Sequence, residues 1–136
     1  MNEINLFEYE LIDYMGCGRF GEISIIRKKN TQEKYTAKVI FRNMPLENED
    51  DQLSIYREIN QMITLNHPTI LKFIGFSKTN FCNESKPTVI MEYAPNKSLF
   101  YFLGRMRSSQ SRFWNSTKKL KCIYGIASGM KYLHSL

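Results

Sequence analysis

Three glycines in G-C-G-R-F-G (Gly16, Gly18, Gly21) and a lysine in Y-T-A-K-V-I (Lys38) are the residues best suited by type and spacing to chemistry. Glycines without a Cβ let the backbone approach a phosphate closely, so that its N–H groups can face the oxygens. A lysine on a nearby strand supplies the matching positive charge. The glycine pattern alone reads equally well as a hairpin turn. A dinucleotide-binding fingerprint needs a helix after the glycines, and here a strand-like run follows. A Walker loop needs G-K-[ST], which does not follow either. Phe20 would form the tip of the turn, and Ile23 would lie on the strand that follows.

Lys38 carries more information in company than alone, because an isolated strand lysine usually points to solvent. Period-two alternation puts Ala37 and Val39 on one face and leaves Lys38 with Thr36 and Ile40 on the other. Glu58, in I-Y-R-E-I-N-Q-M, falls on a helical stretch further along the chain. Glu49, Asp50 and Asp51 precede it and are weaker candidates. The plainer alternative is an exposed Glu58 that pairs with Arg57 or with water.

The elements that must position these residues follow from periodicity. Strand-like runs cover Tyr9–Met15, Glu22–Lys28 and Tyr35–Phe41, joined by short turns into an antiparallel meander. Asn43–Asp51 is an acidic loop broken by Pro45. Leu53, Tyr56, Ile59, Met62 and Ile63 recur at helical spacing, predicting a helix over Leu53–Leu65 with Asp50 or Asp51 as its cap and a stop at His67-Pro68. Two more strands, Ile70–Ser77 and Thr88–Tyr93, flank a polar loop. After Ala94-Pro95 the pattern becomes helical: Ser98–Arg105, then a polar stretch, then a long helix to Ser135 capped by Ser116 or Thr117. Its apolar stripe holds Leu120, Ile123, Ile126, Ala127, Met130 and Leu133.

Glycine loop, strand lysine and helix glutamate, in this order, resemble the N-terminal part of a eukaryotic protein kinase domain, and the resemblance extends over the whole chain. T-V-I-M-E-Y-A-P-N-K-S-L (Thr88–Leu99) is similar to the family's fifth strand and hinge. L-N-H-P-T-I-L-K-F-I-G-F (Leu65–Phe76) resembles the segment after helix C, and I-A-S-G-M-K-Y-L-H-S (Ile126–Ser135) the end of helix E. The H-P-T-I-L and G-M-K-Y-L-H-S wording resembles the tyrosine-kinase-like serine/threonine group. The implied fold is α+β: a kinase-like N-lobe over residues 1–94 (five antiparallel strands plus helix C) and two helices of an incomplete C-lobe over 95–136.

The resemblance also implies roles. Gly16, Gly18, Phe20, Gly21 and Lys38 would hold the phosphates of ATP, and Glu58 would pair with Lys38. Met15, Ile23, Ala37 and Met91 would roof the adenine, with Met91 as gatekeeper and the backbones of Glu92 and Ala94 bonded to its edge. Met62 and Phe73 match two members of the regulatory spine. His134 matches the helix-end histidine and not the H-R-D histidine, since Ser135-Leu136 follows it. No H-R-D or D-F-G motif occurs in the 136 residues; the resemblance places both beyond Leu136, in a domain roughly twice as long. The expectation is weak ATP binding, no Mg²⁺ held by this chain, no metal site and no phosphoryl transfer by the chain alone.

Composition fits a globular domain: 43% hydrophobic and 24% charged residues. The net charge is +6, with Lys86, Lys97, Arg105, Arg107, Arg112, Lys118, Lys119, Lys121 and Lys131 late in the chain. Without interleaved aromatics at stacking spacing, or a zinc or helix-turn-helix signature, these basic residues read as a solvated helix face and not as a nucleic-acid site. Cys17, Cys82 and Cys122 are odd in number, widely spaced and without C-x-x-C, which suits free thiols in the cytosol or nucleus. The N-terminus lacks the pattern of a signal peptide, and no apolar run approaches the ~18 residues of a membrane span. The long helix, 117–135, is apolar around much of its circumference. Each large apolar side chain left wet forfeits ~1.5–3 kcal/mol, so the helix is expected to pack elsewhere, to recruit a protein partner or a second copy, or to make the protein prone to aggregate.

Overall fold

The computed structural model describes residues 2–18, 21–41, 49–107 and 114–136. Five strands form one sheet: β1 (Tyr9–Gly18), β2 (Gly21–Lys28), β3 (Lys34–Ile40), β4 (Phe73–Ser77) and β5 (Thr88–Glu92). Their order is β1-β2-β3-β5-β4, and every neighbouring pair is antiparallel. Among the described residues three α-helices accompany the sheet: α1 (Glu49–Thr64), α2 (Leu99–Arg107) and α3 (Ser116–Leu133). The chain divides into two compact units. The first holds residues 1–65 and 72–93, the second 66–71 and 94–136.

In the first unit alternation gives the sheet two apolar faces. On one, Tyr9, Ile26, Ala37 and Ile90 are buried with Leu6, and Tyr35 and Ile74 pack against them. On the other, Phe76 and Val89 are buried with Ile59 of α1, and Ile40, Tyr56, Met62, Phe73 and Met91 pack there. The Tyr56 and Phe76 rings meet edge-on, centroids 6.5 Å apart. So α1 covers the second face, through Tyr56, Ile59 and Met62 at helical spacing.

The first face is covered by a segment that periodicity did not flag. Ile4 N–H donates to the Phe76 carbonyl (2.7 Å) and Phe76 N–H to that of Asn2 (3.0 Å), a short parallel pairing along the β4 edge. The chain then makes a 3-10 turn at Leu6–Glu8, capped by the Asn5 side chain, and enters β1 at Tyr9. Lys29 fastens it, donating from its backbone N–H to the Glu8 carbonyl (2.9 Å) and from Nζ to that of Phe7 (2.8 Å). An edge strand is thereby paired instead of left open. A Cβ at Gly75 would collide with the Ile4 side chain, so Gly75 is what admits this strap. The β4–β5 loop is organised by Asn80, whose Oδ1 accepts from the N–H of Cys82 and of Glu84. Hydrogen bonds from Lys86 and then Asn80 hold the Glu84 carboxyl below the ordinary range.

In the second unit residues 66–71 lie against α3. Asn66 N–H donates to the Tyr132 hydroxyl (3.0 Å), and the His67 ring stacks on Tyr132 with centroids 5.0 Å apart. His67 Nδ1 accepts from the Thr69 N–H (3.3 Å), and Nε2 lies 3.3 Å from Ser128 Oγ. Gly129 permits the approach, because a Cβ there would stand 2.8 Å from Thr69 Oγ1. Phe102 of α2 meets Trp114 edge-on at 5.2 Å. The Ser98 hydroxyl accepts from Tyr101 N–H (3.1 Å) and so caps the start of α2.

Several boundaries differ from expectation, each for a local reason. β1 runs on to Gly18 because pairing with β2 continues to Gly18↔Gly21. β4 begins at Phe73 and not Ile70, since Ile70 N–H turns back to the His67 carbonyl. α1 starts at Glu49, so Asp50 and Asp51 fall in its first turn instead of capping it. α3 is capped by Asn115, whose Oδ1 accepts from Lys118 N–H at 3.0 Å, in place of Ser116 or Thr117.

Candidate functional site

The three glycines sit on the β1–β2 hairpin for three different reasons. Gly16 has φ +150°, a conformation that L side chains rarely adopt, beside the irregular step in pairing between Tyr14 and Gly16. Met15, half-buried, falls in that step. Gly21 is forced by space: its Cβ would fall on the Val39 carbonyl of β3. Gly18 has neither constraint, its nearest neighbour to a built Cβ being the Gly21 carbonyl oxygen at 3.9 Å. Among the described residues, nothing crowds a Cβ at Gly18. Phe20, the expected tip, lies outside the described residues.

Strand register fixes what stands beside the glycines. Gly16 pairs with Ile23, Ile23 with Lys38, Lys38 with Val89 and Val89 with Phe76, one row across all five strands. Two residues along, Asp13, Ile25, Thr36, Met91 and Phe73 form the next row of the same face. This is the face that α1 covers, so Lys38, Ile23, Met91 and the helix carrying Glu58 share one side of the sheet. Lys38 is half-buried. Glu58 is exposed, next to Ile59, which is only 2% exposed. Met62, Phe73 and Met91 pack on one cluster.

Ala37 does not join them. It pairs with Ser24 and Ile90 in the intervening row and is buried among Tyr9, Ile26 and Ile90 on the opposite face. Thr36, 9% exposed and in register with Met91, occupies the Lys38 face instead. The signal was in the sequence: a period of two separates neighbouring residues, so a residue sharing the lysine's face must lie two positions away. Glu92 closes β5, its N–H donating to the Lys72 carbonyl (2.9 Å) and its Oε1 accepting from Lys72 N–H (3.0 Å). Ala94 opens the second unit, where its carbonyl accepts from Lys97 N–H (3.1 Å). Among the described residues no group of three or more His, Cys, Asp or Glu could hold a metal ion, and no helix is long and apolar enough to cross a membrane.

Comparison with known proteins bears directly on this arrangement. Residues 9–136 match the family model of protein tyrosine and serine/threonine kinases. The chain is 27% identical over 128 residues to an Aurora kinase of Dictyostelium discoideum, an overlap of 94% of this chain and 31% of that protein. It is 28% identical over 131 residues to the serine/threonine-protein kinase SAPK2 of Oryza sativa subsp. indica, covering 94% and 34%. With the serine/threonine-protein kinase SRK2J of Arabidopsis thaliana it shares 30% identity over 132 residues, covering 95% and 34%. The chain thus spans about a third of the length of these relatives. A hairpin of glycines, a strand lysine in register with it and a helix packed on the same face of the sheet are accompanied by a family match over nearly all of the sequence: the chain belongs to the protein tyrosine and serine/threonine kinase family.

Proposed function

We propose that these residues form the nucleotide-gripping part of an ATP-dependent serine/threonine protein kinase. The observation that carries the reading is the row Gly16–Ile23–Lys38–Val89. It sets a backbone turn suited to phosphate, an apolar side chain suited to a purine and a cation on one face of one sheet. Gly18 supports the assignment: no described residue crowds a Cβ there, and a close-approaching phosphate favours glycine. Lys38 would hold the α- and β-phosphates with Glu58 as its partner. Ile23, Thr36 and Met91 would lie against the adenine, Thr36 replacing Ala37, with the Glu92 and Ala94 backbones at its edge. The relatives' names support serine/threonine specificity, and the three free thiols suit a reducing compartment such as the cytosol. Residues 1–136 alone would hold ATP weakly, hold no Mg²⁺ and transfer no phosphoryl group, since they carry no H-R-D or D-F-G sequence. Titration with a fluorescent ATP analogue tests this: weak binding that Lys38→Met abolishes is expected, and equal affinity in that variant removes Lys38 from the site.

A second reading rests on α3. Leu120, Ile123, Tyr124, Ile126 and Met130 are 67%, 63%, 75%, 58% and 48% exposed. Such a face supports a non-catalytic module that binds a protein partner or a second copy of itself.

A further inference from the structure

The second unit contains a cleft that the nucleotide reading does not use. It has a volume of about 360 Å³, at the lower end for small-molecule sites, and lies between the start of α2 and the first turns of α3. Leu99, Phe102 and Trp114 give it apolar walls, and Lys97, Lys118 and Lys121 stand around it. The two rings meet edge-to-face at 67°, which leaves ring surface available for a further aromatic group. Lys118 and Lys121 are one turn apart on α3, so they share its side. Lys97 is held at the rim by its left-handed backbone (φ +59°) and by the Tyr101 ring, over which its ammonium lies at 4.6 Å.

Charge selects the ligand. Residues 66–71 and 94–136 include eight lysines and arginines and no aspartate or glutamate. All thirteen acidic residues of the chain fall in the first unit. The field within the cleft's own unit is therefore of one sign, and it favours an anion. We propose that this cleft binds a small aromatic anion, with its ring against Phe102 and Trp114 and its carboxylate or phosphate head toward Lys97, Lys118 and Lys121. Volume limits the ligand to one or two rings, and a purely apolar molecule would forgo the charged head's contacts.

Trp114 is the chain's only tryptophan, so its emission reports on the cleft directly. The test titrates the full chain with 3-phenylpropionate, with 2-phenylethyl phosphate and with neutral 3-phenylpropionamide. The expected result is a saturable change in Trp114 emission with both anions and roughly tenfold weaker binding of the amide. Lys97→Gln and Lys121→Gln, at exposed positions, should each weaken the anions about threefold. An independent readout is Cys122, which lines the cleft: saturating anion should slow its alkylation by iodoacetamide and leave that of the exposed Cys17 and Cys82 unchanged. Amide binding as tight as the anions, unchanged affinity in both lysine variants, or equal slowing at all three cysteines would overturn the assignment.

Discussion

Gly16, Gly18 and Gly21 look interchangeable in G-C-G-R-F-G, yet the structure asks different things of them. Ala at Gly21 would press a methyl group into the Val39 backbone, and Ala at Gly16 would strain a φ of +150°. Each should cost about 1–3 kcal/mol in chemical denaturation. Gly18→Ala should change stability by less than about 0.5 kcal/mol while weakening nucleotide binding, a split that a turn-only role would not produce. If Gly18→Ala instead unfolds the domain as Gly21→Ala does, that glycine is structural. The face that Lys38 shares with Thr36 and Ile40 was legible from the sequence, because strand alternation is rigid. The same alternation excludes Ala37 from the lysine's face, and only the register, read strand by strand, brings Thr36 beside Met91. The separate grounds for the glycines were not legible, since a φ value and a neighbour's carbonyl are properties of the folded hairpin.

α1 shows how adjacent residues on one helix can have separable roles. Ile59 sits in the cluster with Phe76 and Val89, so Ile59→Ala should cost about 2–4 kcal/mol. Glu58→Ala, one residue away and exposed, should cost under about 0.5 kcal/mol and act on nucleotide affinity instead. Urea unfolding of both variants beside a nucleotide titration measures the two effects, and comparable stability losses would refute the division. Helix existence was readable from Tyr56, Ile59 and Met62, whereas helix ends were not. Asn115 outcompetes Ser116 and Thr117 for the α3 cap although all three residue types cap well. Ile70 looked like a strand residue, but its N–H turns back to the His67 carbonyl, in a segment that settles on α3 because Gly129, far along the chain, leaves room for Thr69. The strap over the β4 edge depends in the same long-range way on Gly75. Gly75→Ala should therefore loosen residues 2–8, seen as faster amide exchange at Ile4, and unchanged protection there would contradict the steric argument.

The chain concentrates its acidic residues in one unit and leaves the other uniformly basic, with an α3 whose large apolar side chains are mostly exposed. Apolar periodicity exposed that imbalance, but hydropathy alone does not say which surface covers it. If α3 mediates self-association, Ile123→Glu together with Ile126→Glu should convert a concentration-dependent oligomer into a monomer in sedimentation velocity without loss of helix content. A wild-type chain that remains monomeric at every concentration would remove self-association from consideration. The nucleotide-gripping role is tested most directly by calorimetric titration of ATP into the 136-residue chain and its Lys38→Met variant. The expected result is a dissociation constant on the order of 1 mM for the native chain and no measurable heat of binding for the variant. Indistinguishable titrations for the two proteins would contradict it.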